Sequence, residues 1–179
     1  GQTQRLIPTM VTMRILTVCL GNICRSPAAE SVLVHKLSQA GIDAEVASAG
    51  TADYHIGKDA HDLTRKVGHE RGYAFTSVAD QVTPAHLDQA DLVLAMDQSN
   101  MENLLAITEN DEQRAKIIRF GAFGSTVDRD GIADVPDPYG NPEEAFVDMY
   151  NQIEDAVQGL VKAIQDDSLN SIKQRYGNQ

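Results

Sequence analysis

The chain has 179 residues, with 15 Lys and Arg against 26 Asp and Glu, a formal net charge of −11 and a pI near 4.7. That length suits one domain with a full core. The charge excludes a binder of nucleic-acid backbones or of anionic lipid, both of which need a dense basic surface.

Residues 1–12 are polar and aperiodic and read as a leader or an artificial extension, so the fold is taken to begin at Met13. They lack the long apolar stretch of a signal peptide. Met13 to Cys19 (MRILTVC) is a short apolar, β-branched run and reads as a buried strand. A loop from Leu20 to Arg25 follows, with Gly21 and Asn22 both tolerant of positive φ. Ser26-Pro27 then reads as an N-cap and a first helical residue. Ala29, Leu33 and Leu37 line one face of the helix, and Gly41 ends it.

Ala44 to Ala49 reads as a second strand closed by Gly50, and Lys58 to Arg71 as a helix stopped by Gly72. Leu92 to Met96 is a third buried strand, and Asp97 to Ile107 a helix capped by Asp97, Ser99 or Asn100. Lys116 to Phe120 is the fourth strand. Val127 to Asn141 is a loop rich in Asp, Pro and Gly. The last helix starts at Pro142 and puts Phe146, Ile153, Val157, Leu160 and Ile164 on one face; residues 166–179 read as a frayed polar tail. Strands alternating with helices predict an α/β fold: a three-layer, doubly wound parallel sheet forming a single domain over residues 13–165. Ligands of such sheets bind at the carboxyl ends of the strands, which directs attention to the loop after the first strand.

That loop reads C-L-G-N-I-C-R-S from Cys19 to Ser26 and opens a helix. Backbone N–H groups of a tight loop at a helix N-terminus converge on an anion. Arg25 can grip two anion oxygens with its planar fork. Both features stabilise a thiolate at Cys19, and Ser26 can donate a hydrogen bond to it. The result is an anion cradle with a nucleophile at its floor, suited to attack on phosphorus. A leaving oxygen needs a proton; Asp137 in V-P-D-P-Y-G, stiffened by Pro136 and Pro138, is the candidate acid.

The chain has two cysteines, Cys19 and Cys24. They are too few for a disulfide framework, and no further Cys or His pair completes a zinc site. A close pair of this kind points to a reducing cytoplasm and to chemistry. No apolar run approaches the ~20 residues of a membrane span.

C-L-G-N-I-C-R-S-P, then S-A-G-T (Ser48 to Thr51), L-A-M-D-Q-S-N (Leu94 to Asn100) and V-P-D-P-Y-G, occur in an order that resembles the low-molecular-weight protein tyrosine phosphatases. The resemblance covers Arg14 to about Ile164. It implies a four-stranded sheet in flavodoxin-like order 2-1-3-4. It also implies hydrolysis of phosphotyrosine and small aryl phosphates through a phosphocysteine. Cys19 is then the nucleophile, Arg25 the phosphate binder and Asp137 the acid, later the base for water. Leu20, Gly21, Asn22, Ile23, Cys24 and Ser26 complete the phosphate loop. Asn22 matches a residue of strained conformation, and Ser48 matches a serine that supports it. Cys24 matches a redox partner of Cys19. No cofactor or metal is implied, since loop amides and Arg25 supply the electrostatics. The implied partner is a phosphotyrosine protein or a small phosphate ester, and no oligomeric state is specified.

The sequence departs from the family in places. Tyr54 stands where a tryptophan is usual at the pocket wall, followed by His55. Tyr139 is followed by Gly140 where a second tyrosine is common. Ser77 falls in the segment where many members carry a loop-supporting histidine. Asp97 is read as cap and strand-end support. Arsenate reductase of the same fold needs cysteines downstream of Cys24, and none follows. Protein-arginine phosphatases carry Thr where this chain has Ile23, whose apolar side chain favours an aromatic substrate. A phosphate-binding module without catalysis would need neither Cys19 nor Asp137.

The charge carries its own prediction. Beyond about 8 Å the acidic surface is screened at physiological salt. Acidic phosphopeptides should therefore react more slowly than neutral or basic ones at low ionic strength. Added salt should speed the acidic set, measured as kcat/KM; an unchanged ratio would mean the global charge has no role.

Overall fold

The computed structural model describes residues 12–178. The stretch read as a leader therefore lies outside the described residues except Thr12, whose hydroxyl donates to Asp43 Oδ2 at 2.8 Å. Four strands, β1 (Met13–Cys19), β2 (Ala44–Gly50), β3 (Leu92–Ala95) and β4 (Ile117–Arg119), form one parallel sheet in the order β2-β1-β3-β4. The helices are α1 (Arg25–Gln39), α2 (Asp62–Glu70), α3 (Pro84–Gln89), α4 (Gln98–Ile107), α5 (Asp111–Ala115), α6 (Val127–Asp130), α7 (Glu143–Gln165) and α8 (Leu169–Tyr176).

Strand side chains alternate between two cores, as a pleat requires. Ile15, Cys19, Leu92, Leu94 and Ile118 face the larger core with α1, α2 and α7. Leu16, Val18, Val93, Ala95 and Ile117 face the smaller one, which Leu87 of α3 and Leu104 of α4 close. Buried on both sides, these strands read as near-continuous apolar runs. Parallel register then delivers Cys19, Gly50 and Met96 to one end of the sheet, with Cys19 paired to Gly50.

Several local expectations change. Helix α1 begins at Arg25 with Cys24 as its cap residue, which makes no side-chain cap bond, so Ser26 is not the N-cap and Pro27 is not the first helical residue. The Ser26 hydroxyl is engaged with Cys19 and Asn22 instead. Helix α2 is shorter than predicted because His61 caps it, its Nδ1 accepting from the Leu63 N–H at 3.1 Å. Residues 127–130 of the expected loop form α6, and a 3₁₀ turn covers Phe120–Phe123. Within the stretch read as a frayed tail, residues 169–176 form α8. Its Tyr176 hydroxyl donates to Asp128 Oδ1 at 2.7 Å, and Asn178 just beyond it donates to the Ile117 carbonyl at 2.9 Å. Its apolar side, Leu169, Ile172 and Tyr176, packs on the main core. Polar composition hid a helix whose few apolar residues all point one way.

Gly50 marks where the sheet meets the loop. A Cβ there would lie 2.7 Å from the Leu20 carbonyl oxygen and 3.1 Å from the Asn22 nitrogen. The loop rests on bare backbone. We expect Gly50→Ala to cost about 1–3 kcal/mol through overpacking, read as a lowered urea midpoint; an unchanged midpoint would mean the loop yields freely.

Candidate active site

The Cys19–Ser26 loop is wrapped from below by the segment after β2. Thr51 N–H donates to the Cys19 carbonyl and Ala52 N–H to the Leu20 carbonyl, both at 2.9 Å. On the far side the His61 N–H donates to the Ile23 carbonyl at 2.8 Å. With these carbonyls tied outward, the loop amides are left to face inward.

Asn22 is buried with φ +56°, a left-handed conformation that is uncommon outside glycine. Such a residue persists only where its surroundings over-determine it. Here the Asp80 N–H donates to Asn22 Oδ1 at 2.9 Å, and Asn22 Nδ2 donates to Ser26 Oγ at 2.7 Å. The strained turn aims the Asn22 N–H at Cys19 Sγ, 3.3 Å away. Ser26 Oγ lies 3.1 Å from the same sulfur. Asn22 already donates to that oxygen, so the Ser26 hydroxyl has its proton to give, with the sulfur at 3.1 Å and the Ala49 carbonyl at 3.4 Å as acceptors. Ser48 does not support Asn22 as the resemblance implies. Its hydroxyl donates to Glu30 Oε1 at 2.6 Å, and Ser77 donates to the same oxygen at 2.8 Å. An ionised carboxylate is the stronger acceptor, and both ends of the Asn22 amide are already engaged.

Arg25 is 3 % exposed, a cation taken almost fully out of water. Its Nη1 donates to Asp97 Oδ2 at 2.6 Å and to the Val135 carbonyl at 2.9 Å. Its Nη2 lies 3.8 Å from Asp137 Oδ2, and its buried Nε has no partner among the described residues. Nη1 is thus spent on fixing the side chain. Asp97 does two things with its two oxygens: Oδ1 caps α4 through the Asn100 N–H at 2.7 Å, and Oδ2 holds Arg25. Sequence reasoning found the cap and missed the ion pair, because nothing local relates residues 25 and 97.

Cys19, Leu20, Gly21, Ile23, Cys24, Arg25, Tyr54, His55, Asp137 and Tyr139 together line a cavity of about 350 Å³. The predicted nucleophile, guanidinium, carboxyl and wall aromatics are therefore in one place. Asp137 is part-exposed at the mouth, its Oδ1 accepting from the Tyr139 N–H at 3.1 Å. Tyr54 and Tyr139 stand at the rim with His55 between them, ring centroids 6.4 and 6.2 Å apart. His55 closes on Gly21, whose Cβ would sit 2.9 Å from the imidazole. The histidine thus forms part of the cavity wall between the two tyrosines.

Both thiols are free and buried. Burial first, then the nearby Asp137 carboxylate and Cys19, push the Cys24 thiol up to about 12, so it stays protonated at neutral pH. Cys19 has an amide, a hydroxyl and a cavity before it. The arrangement can hold a tetrahedral dianion against a thiolate, with a carboxyl opposite.

The family model described as low molecular weight phosphotyrosine protein phosphatase matches residues 14–170. A low molecular weight protein-tyrosine-phosphatase of Streptomyces coelicolor is 35 % identical over 160 residues, covering 87 % of this chain and 96 % of that one. The crystal structure of a protein tyrosine phosphatase from Entamoeba histolytica, with Hepes in the active site, superposes with a TM-score of 0.81. It is 35 % identical and covers 88 % of this chain and 100 % of that one. The YwlE arginine phosphatase superposes at 0.78 with 25 % identity, over 87 % of this chain and 97 % of that one.

Alkylation separates the two sulfurs. Iodoacetate at pH 7 should label Cys19 first, inorganic phosphate should protect it, and Cys24 should stay unlabelled in the folded protein by peptide mass mapping. Preferential labelling of Cys24 would contradict this division.

Proposed function

The chain belongs to the low molecular weight phosphotyrosine protein phosphatases, and on that premise we propose how its residues share the reaction. The family hydrolyses phosphate monoesters, here phosphotyrosine and small aryl phosphates through a phosphocysteine. The observation that supports the division of roles is the convergence of Cys19 Sγ, the Arg25 guanidinium and the Asp137 carboxyl on one cavity.

The phosphoryl group sits over the amides of residues 20–25, with two oxygens on Arg25 Nε and Nη2. The Cys19 thiolate attacks phosphorus in line. The S–P bond forms as the P–O bond breaks, and Asp137 gives its proton to the departing phenolate oxygen. The Asp137 carboxylate then takes a proton from water as that water attacks phosphorus. The S–P bond breaks, phosphate leaves, and Ser26 donates a hydrogen bond to the returning thiolate. Asp97 and the Val135 carbonyl keep Arg25 still, so little reorganisation is needed as charge develops. Tyr54, His55 and Tyr139 hold the aromatic ring of the substrate.

Ile23 lines the cavity and has no polar atom for a guanidinium, which supports phosphotyrosine over phosphoarginine. The substrate is a phosphotyrosine protein or a small phosphate ester, neither nucleic acid nor membrane. Among the described residues no helix is long and apolar enough to cross a bilayer. The two closely spaced free cysteines support a reducing cytoplasm as its location. Under peroxide, Cys19 is oxidised to a sulfenic acid; the Cys24 thiol displaces hydroxide as water and a disulfide forms.

The deciding comparison is kcat/KM for phosphotyrosine, phosphoserine and phosphoarginine peptides, with Cys19→Ser and Asp137→Asn beside the parent. We expect phosphotyrosine to lead. Cys19→Ser should abolish turnover yet still bind phosphate, and Asp137→Asn should lose ~10²–10⁴-fold on poor leaving groups. A phosphoarginine preference would overturn the substrate, and turnover by Cys19→Ser the nucleophile.

A further inference from the structure

The Asp137 carboxyl has little of its own to hold it. It is about half exposed, and its contacts are the Tyr139 N–H and, at 3.8 Å, Arg25. It sits in a segment, residues 131–141, with no regular secondary structure. Yet a proton donor misplaced by about 1 Å loses most of its advantage. What fixes it lies two and three residues upstream.

We infer that Asp134 is the positioning residue of the acid loop, tying it to three separate elements so that Asp137 is delivered to the leaving oxygen. This rests on the reading of Asp137 as the acid. The Asp134 Oδ1 atom accepts from the Gln98 N–H, the first residue of α4, at 3.2 Å, and lies 3.4 Å from Arg119 Nη1 at the end of β4. Its carbonyl accepts from Gln152 Nε2 of α7 at 2.6 Å. Next along the chain, the Val135 N–H donates to the Met96 carbonyl at 2.9 Å, and the Val135 carbonyl accepts from Arg25. Just before, Ala133 lies against bare Gly121, where a Cβ would meet the Ala133 oxygen at 1.9 Å. Residues 133–135 are thus clamped to the sheet ends.

Pro136 and Pro138 flank the acid and fix their own φ near −65°; each also restricts the residue before it. Few soft dihedrals therefore separate the clamp from Asp137, and a shift at Asp134 is passed on to it. Among the described residues Arg119 Nε is buried without a partner and Asp134 is the one carboxylate partner of that guanidinium. Losing it frees both a loop and a cation.

A leaving-group series tests this, because proton donation matters only when the departing oxygen is basic. We would compare kcat/KM, which ends at phosphocysteine formation, for phenyl phosphate and for 2,4-dinitrophenyl phosphate. Asp134→Ala should lose about 10- to 100-fold on the phenyl ester and less than about twofold on the dinitrophenyl ester. Inhibition by inorganic phosphate should not change, and Asp134→Asn, which keeps an acceptor, should recover most of the loss. Gln152→Leu should show the same selectivity in weaker form and leaves the loop sequence intact should Asp134→Ala fail to fold. Equal losses on both esters, or none on either, would overturn the inference. Asp137→Asn run in parallel separates the two claims. If it shows leaving-group selectivity and the Asp134 and Gln152 variants do not, Asp134 has no positioning role. If Asp137→Asn itself shows none, the acid assignment fails.

Discussion

The guanidinium of Arg25 is where the structure's separate parts meet. A cation at 3 % exposure is expensive unless paired and hydrogen-bonded. Its partners come from β3's end through Asp97 and from the acid loop through Val135, while its own backbone opens α1. Satisfying one buried charge therefore draws the phosphate loop, the start of α4 and the acid loop together. The remaining contact of the guanidinium is the longer one to Asp137, with which it shares the cavity.

The loop itself is held by restraint from outside more than by its own preference. Asn22 in a left-handed conformation is unfavourable for an L-residue, and the Asp80 backbone and Ser26 compensate it. Gly50 allows the strand end to lie directly beneath. The result is an amide pointed at a sulfur, an arrangement that disperses charge without requiring any group to move. The net charge of −11 looks ill suited to an anionic substrate. Locally it is not, because a small cavity lined by amides and one guanidinium sets its own potential, and the surrounding carboxylates act through screening water.

Glu30 shows how a departure in the sequence is accommodated. Where the resemblance leads one to expect a histidine supporting the loop, Ser77 stands, and the carboxylate on α1 gathers both Ser77 and Ser48. Ser48 is thereby withdrawn from Asn22. At the pocket wall His55 stands between Tyr54 and Tyr139.

Much of this was legible in the order of residues. The four strands, the helices after the first and third, the long last helix and the loop from Cys19 to Ser26 follow from apolar runs, periodicity and a dense local motif. These signals are local, and local sequence determines them. Short helices α3, α5 and α6 carry too few apolar residues to show a period, and in α8 the spacing of Leu169, Ile172 and Tyr176 is masked by the polar composition around it. The placement of Ser26, the capping of α2 by His61, the pairing of Arg25 with Asp97 and the diversion of Ser48 to Glu30 were decided by tertiary structure. The Arg25–Asp97 and Ser48–Glu30 contacts join residues far apart in the chain, while the Ser26 and His61 contacts are close in sequence but depend on the backbone course that the packed loop imposes.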